Sequence, residues 1–485
     1  MPASFVPPNG AEYARLLPEM ILAGVATLTM VLEPLTPAPR KRALGYLCLA
    51  GLIAALLAAI AGHWNPGPAF SAMLQVDGFA TFFRVLVIVA GMLVVLCSSS
   101  YLQRENAESG EYYALLLFSV AGQSIMVSAS ELIVLFIGLE ISSISSYVLA
   151  GFLRREKLAN EAAAKYFLLG SFATAFLLYG IALIYGATGS TNLNAIRQAL
   201  ANPETAPLRM LVGTAAALMF VGFAFKVSAA PFQVWAPDVY QGAPAPVTAF
   251  LATAPKAAAF AIFLRVFLTA LGPIGNRWEG IVWTSALLTM IVGNFAALAQ
   301  TNLKRLLAYS SIAHAGYVMV AFTAHSEAGT KAAMFYLAVY VFMNIGAFAL
   351  VAYFGRKGER YVHVDDLAGL GVRQPVVAAL FAVLLLSLIG VPPTGGFFGK
   401  FYIFKAALEA HLGWLTVLGL LNTAVAAYYY LRILVVMYMK EPGESTADLP
   451  PLAPGTRTVL WTCAAATLLL GFFPSLVLRF AGLGK

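Results

Sequence analysis

The stretch FKVSAAPFQVWAPDVYQGAPAP, from Phe225 to Pro246, decides how the fold of the whole chain is interpreted. It continues the apolar run LVGTAAALMFVGFA (211–224), whose composition is that of the inside of a transmembrane helix. Lys226 then places a charge where hydrocarbon is expected, and Pro231 interrupts the hydrogen bonding of the helix backbone. A membrane helix with both features within about two turns is predicted to be broken for a functional reason.

The composition of the chain places it in a membrane. Of its 485 residues, 60% are hydrophobic and only 11% are charged, and the mean hydropathy is +0.82. A soluble protein of this length needs far more surface charge. The first apolar run lacks a basic flank and a small-residue cleavage site, so it is predicted to be a span and not a removed signal peptide.

Apolar spans of about 20 residues recur from Met20 to Phe480, which predicts an all-α integral membrane protein with about 14 transmembrane helices. The connection 187–207 between two of them is one of the longest polar segments. The predicted spans are 14–34, 43–62, 77–100, 112–128, 131–152, 162–186, 208–240, 244–271, 279–299, 306–324, 332–355, 376–410, 412–438 and 456–480.

The distribution of lysine and arginine over the loops predicts the orientation. The loops of one side contain 15 of these residues, whereas the other side, with both termini, contains seven. The richer side, which includes Lys304, Arg305 and Arg356, is predicted to face the cytoplasm. Both termini are then predicted on the periplasmic side of a bacterial inner (cytoplasmic) membrane. Because the basic residues are spread over the loops, the net charge of +8 does not indicate a nucleic-acid partner.

Spans 4–8 and 9–13 are predicted to form two inverted five-helix repeats. The fourth member of each block is broken, which makes helices 7 and 12 of the chain the broken ones: the first at Pro231, the second at Pro392, Pro393 and Gly395 in IGVPPTGGFFGKF (389–401). An odd number of spans reverses the orientation of the second block, as in many transporters with sites at broken helices. The predicted divisions are 1–111 for spans 1–3, 112–271 for the first repeat, 272–438 for the second repeat and 439–485 for span 14.

Charged residues inside the predicted spans are candidates for proton transfer, since a charge at the bilayer centre costs roughly 3 kcal/mol. Lys226 and Glu140, in LIVLFIGLEISSISSYVLAGF (132–152), supply one base and one acid in apolar surroundings. A lysine whose acidic partner moves can load and release a proton. The alternative is a static ion pair that joins two helices. Lys256 and Lys400 are further candidates in apolar runs.

Two weaker candidates have ordinary explanations as well. Lys165 lies near a predicted cytoplasmic helix end, from which its side chain can reach the membrane surface. His314, in YSSIAHAGY, exchanges protons near neutral pH but is equally well explained as a packing residue.

No cofactor or metal site is predicted in this chain. Cys48, Cys97 and Cys463 each lie in an apolar run and show no ligand spacing. There is no phosphate-binding glycine motif, and no strands are predicted that would hold one. The chain itself is therefore predicted to perform no redox chemistry.

The segment KVSAAPFQVWAPDVYQGAPAPVTAFLATAPKAAAF (226–260) resembles the antiporter-like, proton-translocating family of respiratory complex I, the NADH:quinone oxidoreductase. Its part PDVYQGAPAPVTAFLATAPK is similar to the subunit N type, because L and M types usually carry a histidine-containing variant after Pro-Asp. The resemblance continues through QTNLKRLLAYSSIAHAGY (300–317) and GVPPTGGFFGKFYIF (390–404), and it covers most of the chain.

The resemblance implies a route for protons, since six residues match positions of the family's channel. They are Glu140 in the fifth span, Lys165 in the sixth, Lys226 in the seventh, Lys256 in the eighth, His314 in the tenth and Lys400 in the twelfth.

The implied function is that of a membrane-arm subunit of a proton-pumping translocase, driven by quinone reduction elsewhere in the complex. NADH and quinone are then substrates of the whole complex, and FMN and iron–sulfur clusters are expected in partner subunits. The implied partners are the M-, K-, J-, L-, A- and H-type membrane subunits, through them the peripheral arm, and membrane lipids. The alternatives are a subunit of a multisubunit cation/proton antiporter or membrane-bound hydrogenase, and a purely structural membrane subunit.

Overall fold

A computed structural model describes residues 7–202, 209–447 and 449–482. Within these residues the chain is almost entirely helical. The α-helices are α1 Gly10–Arg15, α2 Leu17–Leu32, α3 Arg42–Gly62, α4 Gly78–Arg104, α5 Gly110–Ser128, α6 Leu132–Ala150, α7 Lys157–Thr188, α8 Leu193–Ala201, α9 Arg209–Val227, α10 Trp235–Gly242, α11 Ala245–Leu251, α12 Ala254–Arg265, α13 Gly275–Leu298, α14 Leu303–Thr323, α15 Glu327–Phe354, α16 Leu370–Arg373, α17 Pro375–Ile389, α18 Gly395–Glu409, α19 Gly413–Met439, α20 Glu444–Ala447, α21 Pro454–Phe472 and α22 Ser475–Gly482.

Ten helical segments of the described residues are long and apolar enough to cross a membrane. Two shorter apolar helices, α2 and α17, come in addition. The prediction of an all-α, multi-pass membrane protein is therefore confirmed, and the count of about 14 spans stays a prediction. The ten segments are α3 with the turn before it, α4, α6, α7, α9, α11 to α12, α13, α14, α15 and α19.

A short β-hairpin corrects the prediction that the chain has no strands. Strand β1, Gly67–Ala69, pairs antiparallel with β2, Leu74–Val76, between α3 and α4. Arg15 holds it, because its guanidinium donates hydrogen bonds to the carbonyl oxygens of Pro66 and Pro68 at 3.1 and 2.7 Å. Strands of three residues are too short to show an alternating pattern in a sequence.

Two other boundaries differ from the prediction. The polar connection 187–207 contains the short helix α8, which begins after Asn192, whose side chain accepts from the amides of Asn194 and Ala195. The predicted last span, 456–480, is interrupted after α21, and α22 begins directly after Pro474. Proline has no amide hydrogen to continue the helical bonding of α21.

The helices form an interior and an outer layer. The segment of α11 and α12, together with α14 and α15, is almost completely enclosed by protein. The outer helices α3, α7 and α19 keep large apolar side chains exposed, such as Phe172 and Leu168 on α7. Polar side chains on α12 and α14 are thus removed from both water and lipid, so they need partners within the protein.

The first broken helix, α9 followed by α10, has its free backbone groups satisfied by side chains. The Ala230 amide donates to the Thr289 hydroxyl at 2.8 Å, and the Ser285 hydroxyl donates to the Ala230 carbonyl oxygen at 2.6 Å. The Trp235 indole donates to the Phe225 carbonyl oxygen at 2.9 Å. Irregular backbone at membrane depth persists only with such partners.

In the second broken helix, α17 followed by α18, side chains likewise bind the free backbone groups. The Gly396 amide donates to the Ser387 hydroxyl at 3.0 Å. The amine of Lys400 donates to the carbonyl oxygens of Leu388 and Ile389 at 3.0 and 2.9 Å. A positive charge at the end of α17 also complements the helix dipole. The lysine therefore belongs to the break itself.

We expect Gly396→Ala to destabilise the protein by about 1–3 kcal/mol, the range for overpacking a close contact. A Cβ atom at this position would lie 1.9 Å from the Ser387 carbonyl oxygen, whereas a Cβ at Gly186 on α7 would meet nothing within 4 Å. Gly186→Ala is therefore the matched control. The temperature at which the detergent-solubilised protein loses its monodisperse elution would measure the difference. Equal temperatures for the two variants would contradict the close packing of the second break.

Candidate functional site

Lys226 lies in the last turn of α9, directly before the first break, and its amine faces α6. It donates to the Ser143 hydroxyl at 2.6 Å and to the Tyr147 hydroxyl at 3.2 Å. The amine also lies 5.3 Å from the centre of the Tyr147 ring, within the range of a cation–π contact. Lys226 is half-buried and is held by neutral partners.

Glu140 lies on the same face of α6, one turn before Ser143. No ion pair within 4.0 Å joins Glu140 to Lys226 in the described part of the chain, because the amine is bound by hydroxyl groups further along α6. Oxygen Oε1 of Glu140 is buried without a hydrogen-bond partner. The amine of Lys226 therefore meets the face of α6 that carries Glu140, but the predicted acid and base form no ion pair.

A cavity of about 20 Å³ lies beside Lys226 and extends to α12. It is lined by Ser142, Ser143 and Ser146 of α6, and by Pro255, the residue before Lys256. About 10–15 Å³ suffices for one water molecule when polar partners are present. The serine hydroxyls and the lysine amine supply such partners, so this cavity suits a single bridging water between α9 and α12.

Lys256 is fully enclosed, with 2% of its surface exposed. Its amine donates to the hydroxyl of Ser311 at 2.5 Å and to the Ser311 carbonyl oxygen at 3.1 Å. The hydroxyl of Tyr340 donates to the same serine at 2.7 Å. Lys256 is thereby connected to α14 through Ser311.

His314 lies one turn further along α14 and is also buried. Its Nδ1 atom is 2.5 Å from the Tyr336 hydroxyl, and its Nε2 atom is 3.1 Å from the Tyr430 hydroxyl. The Tyr430 hydroxyl also bonds to the hydroxyl of Ser310. Both ring nitrogens thus have a phenolic partner, and either tautomer finds a donor and an acceptor.

Lys400 completes the series on α18. Its amine, bound to the end of α17, lies 4.8 Å from the centre of the Tyr317 ring. Tyr317 is one turn beyond His314 on α14, and its hydroxyl accepts from the Asn294 amide at 3.3 Å. Ser311, His314 and Tyr317 are spaced by three residues, so they follow one face of α14 from Lys256 towards Lys400.

Lys165 lies apart from this buried series. Its side chain is 40% exposed and its amine binds Asp238 at 2.6 Å and Glu161 at 2.7 Å. Asp238 also accepts from Arg305 at 2.6 Å, so this cluster joins α7, α10 and α14.

Four tyrosines of the site, Tyr147, Tyr336, Tyr340 and Tyr430, were not predicted from the sequence. Tyr336 and Tyr340 are four residues apart on α15, and both face α14. Two tyrosines with this spacing on an apolar helix are a weak signal, because aromatic residues are common in membrane helices. Their role becomes visible only through their bonds to His314 and Ser311.

The residues that the structure describes include no group of three or more His, Cys, Asp or Glu side chains arranged to hold a metal ion. Cys48, Cys97 and Cys463 are all buried and free.

Comparisons with known proteins agree on the family. Residues 129–426 match the family described as NADH:quinone oxidoreductase/Mrp antiporter, TM. NADH-quinone oxidoreductase subunit N 1 of Solibacter usitatus is 62% identical over 473 residues, which cover 98% of this chain and 97% of that protein. The chain belongs to the subunit N family of NADH-quinone oxidoreductase. The resemblance found in the sequence is thereby confirmed.

A solved structure of respiratory complex I agrees with this family. A chain of respiratory complex I from Thermus thermophilus with bound aureothin is 36% identical, with a TM-score of 0.83. The match covers 96% of this chain and all of that chain. A chain of the Mrp complex from Dietzia sp. DQ12-45-1b is 21% identical, with a TM-score of 0.83, and covers 97% of this chain and 96% of that one. The second likeness concerns the fold alone, so the antiporter alternative fits less well.

Proposed function

We propose that the protons translocated by this subunit of NADH:quinone oxidoreductase move along the buried groups of α6, α9, α12, α14 and α18. The observation that carries this proposal is the face of α14 formed by Ser311, His314 and Tyr317. It lies between the amine of Lys256 and that of Lys400. A purely structural helix interface does not explain three buried bases along one line, because each buried charge is unfavourable. The three bases are Lys256, His314 and Lys400.

The first step of the proposed route takes place between Lys226 and Glu140. A shift of the lysine amine by about one helical turn, roughly 5 Å along α6, would replace Ser143 and Tyr147 by the carboxylate. An ionised partner favours the protonated lysine, and neutral partners in a buried place favour its release. The unpaired oxygen of Glu140 supports this proposal, because it leaves room for an additional bond.

The second step passes the proton from α9 to α12. A water in the cavity beside Lys226 would be in reach of the serine hydroxyls of α6 and of the segment that begins α12. Proton transfer needs donors and acceptors at hydrogen-bond distance or one water apart. Lys256 then transfers the proton to the groups along α14, the hydroxyl of Ser311 and the imidazole of His314.

The last step involves the second break. When Lys400 releases its proton, its bonds to the carbonyl oxygens of Leu388 and Ile389 lose their charge assistance and weaken. Release is therefore coupled to the geometry of the break. We place the exit of the route here, on the predicted periplasmic side.

The finer architecture forms part of the same proposal. The helices α2, α5, α17 with α18, and α21 supply the crossings that complete about 14 spans. At both broken helices, side-chain hydroxyls bind the free backbone groups, and this common feature supports two inverted repeats. The repeats are proposed at 112–271 and 272–438, between the flanking segments 1–111 and 439–485. The side of the protein that carries the lysine- and arginine-rich loops is proposed to face the cytoplasm, and both termini are proposed to lie in the periplasm.

The proposed partners follow from the family. The relatives are named for a whole oxidoreductase, so FMN and iron–sulfur clusters are proposed for partner subunits, with NADH and quinone as substrates of the complex. The M-, K-, J-, L-, A- and H-type subunits and membrane lipids are proposed to surround this chain. Its exposed apolar outer helices support such contacts.

Purification of the chain from its native membrane in mild detergent tests the proposal. We expect it to carry flavin- and iron-containing subunits, to reduce quinone with NADH and to acidify one side of the membrane after reconstitution into liposomes. An intact preparation with membrane subunits alone and no reductase activity would favour the cation/proton antiporter instead.

A further inference from the structure

A cavity of about 110 Å³ opens at the end of the bundle that carries the lysine- and arginine-rich loops. It is therefore on the predicted cytoplasmic side. Its volume allows a few water molecules. Its polar lining comes from five separate parts of the chain: Glu105, Glu156, Gln241, Asn302 with Lys304, and Glu359.

Lys304 forms the inner end of this cavity. The sequence predicts it in a cytoplasmic loop, but the structure corrects this: Lys304 is the second residue of α14, and only 1% of its side chain is exposed. Its amine donates to the carboxylate of Glu359 at 2.6 Å and to the carbonyl oxygen of Ala243 at 2.6 Å. The proton route proposed above does not include Lys304, although this base is almost completely buried.

Glu359 reaches Lys304 from the loop after α15. Its Oε1 atom accepts from the Tyr101 hydroxyl at 2.7 Å and from the Ala245 amide at 2.9 Å. Its backbone has φ +48°, and Arg356 in the same loop has φ +54°, conformations that non-glycine residues rarely adopt. Such strain persists only where the surroundings impose it, and it is concentrated at functional sites. Here it directs a carboxylate inwards.

Polar atoms continue from Lys304 towards the proposed route. The carbonyl oxygen of Ala243, which binds Lys304, also accepts from the Thr248 hydroxyl at 3.3 Å, and that hydroxyl is 3.1 Å from the Tyr240 carbonyl oxygen. Ser311, the partner of Lys256, is seven residues after Lys304 on α14. Two turns separate them along one helix face, about 10 Å.

We propose that Glu359 and Lys304 are the proton-uptake site of this subunit, an inference that rests on the proposed function. Protonated Lys304 passes one proton inwards along α14 to neutral Lys256. The Glu359 carboxylate then takes a proton from hydronium in the cavity and passes it to neutral Lys304, which restores the ion pair. Glu156 is exposed beside the cavity, where its carboxylate attracts cations and so raises the local proton concentration, whereas Glu105 is bound by Arg104 and the Gly358 amide.

The variant Glu359→Gln in the assembled complex tests the uptake site. The amide oxygen keeps an acceptor for Tyr101 and Ala245, but the side chain no longer carries a proton. We expect NADH:quinone turnover at about pH 8 to fall at least about tenfold. We expect it to recover as the pH is lowered, because without the uptake carboxyl the rate is limited by the concentration of bulk protons, which rises as the pH falls. The charged and titratable groups around this position are unchanged in the variant: Lys304, Tyr101, Arg104, Glu105 and Glu156.

A second variant separates a role of Glu359 in proton uptake from a purely structural role of its hydrogen bonds. Tyr101→Phe removes one hydrogen bond to Glu359 but keeps the carboxylate and its ion pair, so we expect any change of turnover in this variant to be the same at every pH. A loss in Glu359→Gln that is equal at all pH values would overturn the proposal, and so would a loss in Tyr101→Phe that recovers at low pH as that of Glu359→Gln does. Unchanged turnover in Glu359→Gln would overturn it as well.

A third variant applies if Glu359→Gln does not assemble. Leu158→Cys places a thiol at the rim of the cavity, where the native side chain is 58% exposed. After assembly, a bulky maleimide on this thiol is expected to slow turnover at least about tenfold at pH 8, relative to wild-type complex treated alike. Full turnover of the labelled complex would refute the inlet.

The same assay on Lys226→Met distinguishes the two proposals. Normal translocation in Lys226→Met would refute the proposed function. A loss there together with normal turnover in Glu359→Gln would refute the uptake site alone.

Discussion

Replacing Lys226 by methionine is expected to lower NADH-driven proton translocation at least about tenfold, since a positioned proton-transfer group contributes roughly 100- to 10,000-fold to a rate. Methionine has a similar length and is apolar, so it fits the membrane position without an unfavourable charge. The bonds to Ser143 and Tyr147 are lost, but the Ser143 hydroxyl still donates to the Leu139 carbonyl oxygen at 2.6 Å. The measurement is the rate of acidification by reconstituted complex.

Lys331→Met is the matched control for this variant. Lys331 lies on α15, is 35% exposed and pairs with Glu327 one turn away. Such a surface pair contributes less than about 1 kcal/mol, so we expect translocation to stay at the wild-type level. A fully assembled Lys226→Met complex that translocates protons like the wild type would leave α9 with a purely structural role.

Replacing Lys400 by methionine is expected to have two effects. Translocation should fall at least about tenfold, because the last base before the proposed exit is lost. The complex should also become less stable, because the carbonyl oxygens of Leu388 and Ile389 lose their donor, and a buried polar group without a partner costs about 1–3 kcal/mol. Acidification and the temperature of monodisperse elution measure the two effects separately.

Two companion variants isolate the proton-transfer effect of Lys400. Lys405→Met, on the same helix and 58% exposed, is expected to change neither quantity. Lys400→Arg keeps donors for the two carbonyl oxygens but does not release its proton. We expect this variant to assemble and still to lose translocation. Normal translocation by Lys400→Arg would show that the amine serves only to hold the break together.

Local patterns in the sequence were sufficient to predict the broken helices. Pro231 and the pair Pro392 and Pro393 interrupt long apolar runs, and both interruptions are present between α9 and α10 and between α17 and α18. A proline acts on its own turn of helix, so no distant contact is needed for the prediction. For the same reason Lys226 and Lys400 were recognisable as charges beside a break.

Long-range contacts account for what the sequence did not show. Lys304 resembles any basic residue of a cytoplasmic loop until Glu359, 55 residues away, is seen to cover it. The neutral partners of Lys226 were missed because a nearby acid, Glu140, is the more obvious choice. The tyrosines around His314 come from α15 and α19, and a single sequence gives no distance between helices.

The central claim is that protons cross the membrane through the buried bases of this chain. Its most direct test is the number of protons released per NADH oxidised, measured in liposomes that contain either the wild-type complex or fully assembled Lys256→Met. We expect this number to fall in the variant, or turnover to fall with it, because the connection between Lys226 and α14 is removed. An unchanged number of protons at an unchanged rate of NADH oxidation would contradict the account.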